Sequence, residues 1–132
     1  RRGAGRLLAA AVEAEVDAWF EEALVPDALD DFVALRRASP VPIAGGELNI
    51  GLHEYRQLIE RNCYDIIQAD AAFSEGVSQL RKVAAMAEMA FKPFIPHTWS
   101  NGIGLGANLH LAGATPNSFP RRRPPPWPPP RA

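Results

Sequence analysis

The sequence predicts an α/β fold built from about four consecutive parallel βα units. Short apolar runs alternate with longer segments of helical periodicity. The runs are continuous rather than alternating, as expected of strands covered on both faces. Polar residues stand just beyond each run at nearly constant spacing.

Taken in order, Leu7 to Ala18 is rich in Ala and Glu and reads as a helix, after which Trp19 and Phe20 form a brief apolar run ending at Glu21 and Glu22. Asp27 is the expected N-cap of a helix to about Ala38, with Leu29, Phe32, Val33 and Arg36 on one face. Val41 to Ala44 reads as the second strand, followed by a helix from about Leu52 to Asn62 that carries Tyr55, Leu58 and Ile59 at helical spacing. Asp65 to Gln68 reads as the third strand and Val77 to Ala90 as the next helix, the turn into it made by Ser74, Glu75 and Gly76. Phe94 and Ile95 form the fourth run. A last helix is expected over Ile103 to Gly113, with Leu105, Leu109 and Ala112 apolar.

Composition narrows the function classes. The chain has 132 residues, of which 47% are hydrophobic and 22% charged, enough apolar material for a core but too short for a whole (β/α)₈ barrel of about 250 residues. Between Leu7 and Asn117 fifteen acidic residues face seven basic ones. Such a body disfavours nucleic acid as a partner and suits a protein offering carboxylates to a metal ion. One cysteine, Cys63, allows no internal disulfide and reads as a buried helix-end residue. No apolar run approaches the roughly 20 residues of a membrane span, and no secretory signal is evident, so a soluble cytoplasmic protein is expected. Residues 118–132 hold seven of the thirteen prolines and four arginines, a mixture expected to be extended or disordered. It reads as an unselected terminus or as a polyproline ligand around Trp127.

In parallel βα folds the loops at the carboxyl ends of the strands share one mouth. Glu21, Glu47, Asp70 and His97 each follow a run, with separations of 26, 23 and 27 residues, one βα unit each. That register would put three carboxylates and one imidazole on a common rim, donors suited to a hard cation and to proton transfer. Singly, each has a plainer account: Glu21 and Glu22 as solvated loop acids, Glu47 as a first-turn acid of the next helix, Asp70 as a turn cap or the partner of a base. The recurring spacing favours the shared rim. His53 and His110 lie within helical patterns and read as surface or core residues.

Four strings occur in order: W-F-E-E at Trp19 to Glu22, P-I-A-G-G-E at Pro42 to Glu47, Y-D-I-I-Q-A-D at Tyr64 to Asp70, and P-H-T-W-S-N-G-I-G at Pro96 to Gly104. In this series the sequence resembles the C-terminal domain of the mandelate racemase and muconate lactonizing enzyme group of the enolase superfamily, over about Ala9 to Asn117. The resemblance implies strands four to seven of a modified TIM-like (β/α) barrel. It implies that Glu21 and Glu47 are ligands to Mg²⁺, and that Asp70 and His97 are the dyad in which His97 moves the proton alpha to a substrate carboxylate. Metal plus a Lys or His base is a pattern the enolase superfamily illustrates generally. The electrostatic logic is that removing this proton creates an enediolate whose extra charge a divalent cation offsets, while a carboxylate on the second ring nitrogen favours the imidazolium and orients the ring. Trp99, Asn101 and Asn108 belong to the matching stretch, with loop support preferred to substrate contact.

The resemblance also implies parts not seen here: a capping domain, a strand-three Asp ligand, a Lys-bearing strand and a closing strand eight. The expectation is therefore an incomplete form that lacks turnover in isolation. The substrate class expected is a carboxylate-bearing acid sugar or 2-hydroxy acid, with dehydration preferred to racemization because one base is visible. The competing readings are a non-catalytic remnant and a half-barrel or proline-rich module completed by a partner chain, and a homo-oligomer remains among the expected states.

Overall fold

A computed structural model describes residues 19–118. The helix expected over Leu7 to Ala18 and the Pro/Arg-rich segment beyond Ser118 lie outside the described residues. Within them the order is β1 (Phe20–Glu21), α1 (Leu29–Ala38), β2 (Ile43–Gly45), α2 (Gly51–Glu60), β3 (Ile66–Ile67), α3 (Val77–Met89) and α4 (Gly102–Ala114). The three strands form one parallel sheet in sequential order, with Phe20 opposite Ile43, Ala44 opposite Ile66 and Gly45 opposite Ile67. This is the α/β arrangement of successive βα units, a portion of a barrel wall.

The fourth run adds to the sheet as a single parallel bridge, Ile67 to Phe94, rather than as a full strand. Its backbone still tracks β3: Ile67 N–H donates to the Pro93 carbonyl, Ile95 N–H to Ile67, and His97 N–H to Ala69, at 3.0, 2.9 and 3.2 Å. The intervening amides face the other way. Phe94 N–H is taken by the Asn117 carbonyl at 3.0 Å, and Pro96 has no N–H to satisfy, so proline is tolerated there. The extended segment thus delivers His97 beside the end of β3.

Apolar side chains from both sides of the sheet make the core. Phe32, Ile43, Tyr55, Leu58, Tyr64, Ile67, Leu80, Phe94 and Leu111 are all essentially excluded from solvent. Burying each aliphatic or aromatic group contributes about 1.5–3 kcal/mol, which explains why such short strands hold their register. Phe32 and Tyr64 meet edge-on with ring centroids 4.7 Å apart. Arg36, on the inner side of α1, is buried in an ion pair with Asp65 at 2.5 Å, and the second Asp65 oxygen accepts from Ile43 N–H at 3.0 Å. The pair joins α1 to the starts of β2 and β3.

Helix ends differ in detail from expectation. Asp27 does not cap α1: the N-cap is Ala28, with no side-chain cap, and the Asp27 carbonyl accepts from Leu29 N–H instead. The acids within the first turn, Asp30 and Asp31, supply the favourable charge at that terminus. Asn101 caps α4, its side chain accepting from Ile103 and Gly104 N–H. The buried line of α4 runs through Gly104, Asn108, Leu111 and Ala112, leaving Leu105 and Leu109 exposed. Gly76, with φ +85°, carries the chain into α3. Cys63 is buried, and His53 and His110 are exposed.

Candidate active site

The carboxyl ends of β1, β2, β3 and the Phe94 segment lie side by side, and each presents the residue singled out by spacing. Glu21 ends β1 and is exposed. Glu47 stands two residues past β2, in a turn that precedes α2, so it is not a first-turn acid of that helix; Glu54 is. Ligand atoms of Glu21, Glu47 and His97 all lie within 4.8 Å of one another. Asp70 sits one step behind, reaching this group through His97. The imidazole links the two halves: Nε2 is 3.0 Å from Glu47 Oε2 and Nδ1 is 3.2 Å from Asp70 Oδ2.

Burial grades inward, with side-chain exposure of 22% for Glu47, 19% for His97 and 5% for Asp70. Asp70 is held by four donors. Ala72 N–H and Asn108 Nδ2 donate to Oδ1 at 2.8 and 3.0 Å, while His97 Nδ1 and Trp99 N–H approach Oδ2 at 3.2 Å. Burial pushes its pKa up, but the bonds from Asn108, Ala72, Trp99 and His97 together outweigh it and hold the carboxyl below its ordinary value. An ionised carboxylate on Nδ1 is the partner an imidazole needs to carry positive charge. Among the described residues no Lys or Arg takes that place; the turn role and the histidine contact coexist in one side chain.

Asn108 makes three bonds from a nearly closed position. Its amide donates to Asp70 Oδ1 and to Thr98 Oγ1, at 3.0 and 3.1 Å, and its oxygen accepts from Ala71 N–H at 2.9 Å. It ties the loop after β3 to the loop after Phe94, so the support expected of Asn108 has a defined geometry. Trp99 contributes its backbone N–H to Asp70 while its ring is exposed.

Three supporting residues escaped the sequence reading. Glu22, expected as a solvated acid, is half-buried, and its Oε1 accepts from Gly46 and Glu47 N–H at 2.5 and 3.2 Å. Desolvation raises its pKa despite these two bonds. Tyr55, read only as an apolar face of α2, places its hydroxyl 2.7 Å from the Gly46 carbonyl, 2.9 Å from that of Asn49 and 2.7 Å from Ser74 Oγ. Ser74 Oγ in turn donates to Asn49 at 2.6 Å. Two hydroxyl hydrogens thus serve the two carbonyls of the loop bearing Glu47. A tyrosine in an apolar helix stripe must find a partner for its hydroxyl, and that requirement was the available signal.

The donor set suits a divalent cation. Mg²⁺ takes one or two carboxylates and fills its remaining positions with water or substrate oxygens, and Glu21 with Glu47 supplies two such groups. Among the described residues no helix is long and apolar enough to cross a membrane.

These features define an enolase-type C-terminal domain, and the chain belongs to that family: the family model described as "Enolase C-terminal domain-like" matches residues 2–129. The relatives lie in the mandelate racemase and muconate lactonizing enzyme group. The chain is similar to D-galactarolactone cycloisomerase of Agrobacterium fabrum, 35% identical over 100 residues that make up 75% of this chain and 26% of that protein. It is 36% identical over 96 residues to arabinonate dehydratase of Saccharolobus solfataricus, 73% of this chain and 26% of that one. Among solved structures it superposes on a mandelate racemase/muconate lactonizing enzyme from Sulfitobacter sp. with TM-score 0.83 and 32% identity, over 89% of this chain and 30% of the other. The chain therefore spans about a quarter of the length of these curated relatives.

Proposed function

We propose that the described residues form part of a Mg²⁺-dependent site that removes the proton alpha to the carboxylate of an acid sugar, as a step of dehydration. The observation that carries the reading is the continuous line Asp70, His97, Glu47 and Glu21 at the carboxyl ends of neighbouring strands, with contacts of 3.2 and 3.0 Å at the two imidazole nitrogens. The names of the relatives, a sugar-acid dehydratase and a sugar-acid lactone cycloisomerase, support the substrate class.

In this reading Glu21 and Glu47 would hold the cation, whose chemistry is to offset the negative charge that develops on the substrate carboxylate. His97 Nε2 accepts the alpha proton. Asp70 stabilises the resulting imidazolium through Nδ1, and Asn108 with the Ala72 and Trp99 amides keeps Asp70 ionised. Because Nε2 lies against Glu47 Oε2, that contact must open before a substrate C–H can approach. The imidazolium then assists departure of the β-hydroxyl, which is why one base suffices for elimination. A second copy of the chain or a completing chain is proposed as the partner that supplies the rest of the barrel, in the cytoplasm.

The test is deuterium incorporation at the alpha position of aldonic acids, followed by NMR in D₂O with Mg²⁺ and the full chain, alongside binding of the same acids. The expected result, once a partner chain completes the barrel, is Mg²⁺-dependent loss of the alpha hydrogen with a rate reduced by about 10²–10⁴ in His97→Ala, the chain alone showing little exchange. Binding without exchange would leave a ligand site and overturn catalysis. Neither binding nor exchange would overturn both.

A further inference from the structure

Glu22 follows a candidate ligand yet is spent elsewhere. Its backbone has φ +42°, in the left-handed region that non-glycine residues rarely enter. Its carboxylate is largely withdrawn from water, with Oε2 buried and without a hydrogen-bond partner among the described residues. A strained backbone and a desolvated acid persist only where neighbouring groups compensate. Here the compensation comes from two consecutive amides, Gly46 and Glu47, both donating to Oε1. Gly45 leaves the space for that approach: a Cβ there would lie 3.0 Å from Glu22 Oε1 and would overlap the Tyr64 ring. The second of these amides belongs to the residue whose carboxylate faces Glu21 and His97.

We propose that Glu22 is a positioning residue for Glu47: by holding its peptide N–H from the end of the neighbouring strand, it sets where the Glu47 carboxylate stands relative to Glu21 and so governs divalent-cation affinity. The inference rests on the reading that Glu21 and Glu47 hold a cation. From the other side, Tyr55 donates to the Gly46 carbonyl, so the peptide linking Gly46 to Glu47 is held at both of its polar groups, its carbonyl by Tyr55 and its N–H by Glu22. Glu21 and Glu22 therefore divide two tasks between successive residues, one offering a ligand and the other aligning the ligand of the next strand.

The experiment titrates Mn²⁺ into the full-length chain, following free Mn²⁺ by electron paramagnetic resonance, with thermal melting recorded for every variant. The wild-type chain is expected to bind Mn²⁺ at a site lost in Glu47→Gln. Glu22→Ala is expected to weaken Mn²⁺ binding by about tenfold to a hundredfold, the range found for groups that orient metal ligands. Glu22→Gln keeps an oxygen able to accept both amides and is expected to stay within about threefold of wild type. Val83→Ala, a buried truncation in α3, is expected to lower the melting temperature with Mn²⁺ affinity intact. Equal affinity in Glu22→Ala and wild type would overturn the proposal, as would Glu22→Gln binding as weakly as Glu22→Ala, since charge rather than positioning would then be at work. Should Glu22→Ala not fold, Glu22→Asp, one methylene too short to reach the same amides, is expected to show the weakening, and wild-type affinity there overturns the proposal. A wild-type chain without saturable Mn²⁺ binding would remove the metal reading itself, a result distinct from the others.

Discussion

Two acids at the site, the buried Asp70 and the half-buried Glu22, respond to pH with opposite sign. Asp70 has a folded-state pKa below its ordinary 3.8, so its contribution to stability is present above that value and is lost as pH falls through the lower folded value. Glu22 has a pKa raised above 4.5, so its contribution is greatest below 4.5 and is withdrawn as pH rises through the folded value. Asp70→Asn is therefore expected to destabilise the chain near pH 7, and the gap from wild type is expected to close as urea unfolding is repeated toward pH 3. A constant gap would show that Asp70 contributes by shape alone. Asn108 offers a second check at this scale. Removing its amide in Asn108→Ala leaves a buried Asp70 oxygen and the Ala71 N–H each short of a partner, a loss of about 1–3 kcal/mol, and the proposed proton transfer by His97 is expected to fall with it. The residues Glu21, Glu47, Asp70 and His97 were legible because strand ends recur at one βα unit. Glu22 and Tyr55 were not, because their roles depend on which amides and carbonyls the fold brings within 3 Å or so of their oxygens, a matter of through-space approach that no spacing in the chain records.

At the scale of elements, the sheet is made of strands two or three residues long, too short to be stable by pairing alone. Their cohesion comes from the buried faces of the helices and from side chains that cross between loops. Gly45 is the tightest of these junctions, since any Cβ there meets the Tyr64 ring. Gly45→Ala is expected to cost about 1–3 kcal/mol by overpacking, and to displace the turn bearing Glu47 as well. Thermal melting measures the first effect and Mn²⁺ affinity the second. Helices were the more readable elements: α2 and α3 lie where apolar periodicity put them, within two residues at each end. α1 starts one position later than an Asp27 N-cap would place it, because the Asp27 carbonyl, not its side chain, meets the first turn. The fourth strand reduces to one bridge, Phe94 with Ile67, while on its outer edge Phe94 N–H goes to the Asn117 carbonyl and Pro96 has no hydrogen to offer.

For the molecule as a whole, large apolar side chains remain on the surface. Phe91, Trp99 and Ile103 are 97%, 85% and 83% exposed, and Leu105 and Leu109 lie open on α4, a helix apolar on nearly every side. Surfaces of this kind are buried when copies or further segments pack against them. The full chain is accordingly expected to sediment as an assembly larger than a monomer, and Ile103→Glu is expected to shift it toward smaller species. A folded monomer at all concentrations would show that no such packing is needed. The chain by itself determined the α/β class, the order of the units and the four polar residues at the strand ends, because continuous apolar runs, helical periodicity and unit spacing are properties of a one-dimensional pattern. Only the tertiary structure decided that His97 stands between Glu47 and Asp70, that Asn108 joins their loops, and that Glu22 turns from the mouth to hold a backbone. Those contacts span 24 to 50 residues of sequence or bridge separate loops, and they exist only once packing of the core has brought the strand ends together.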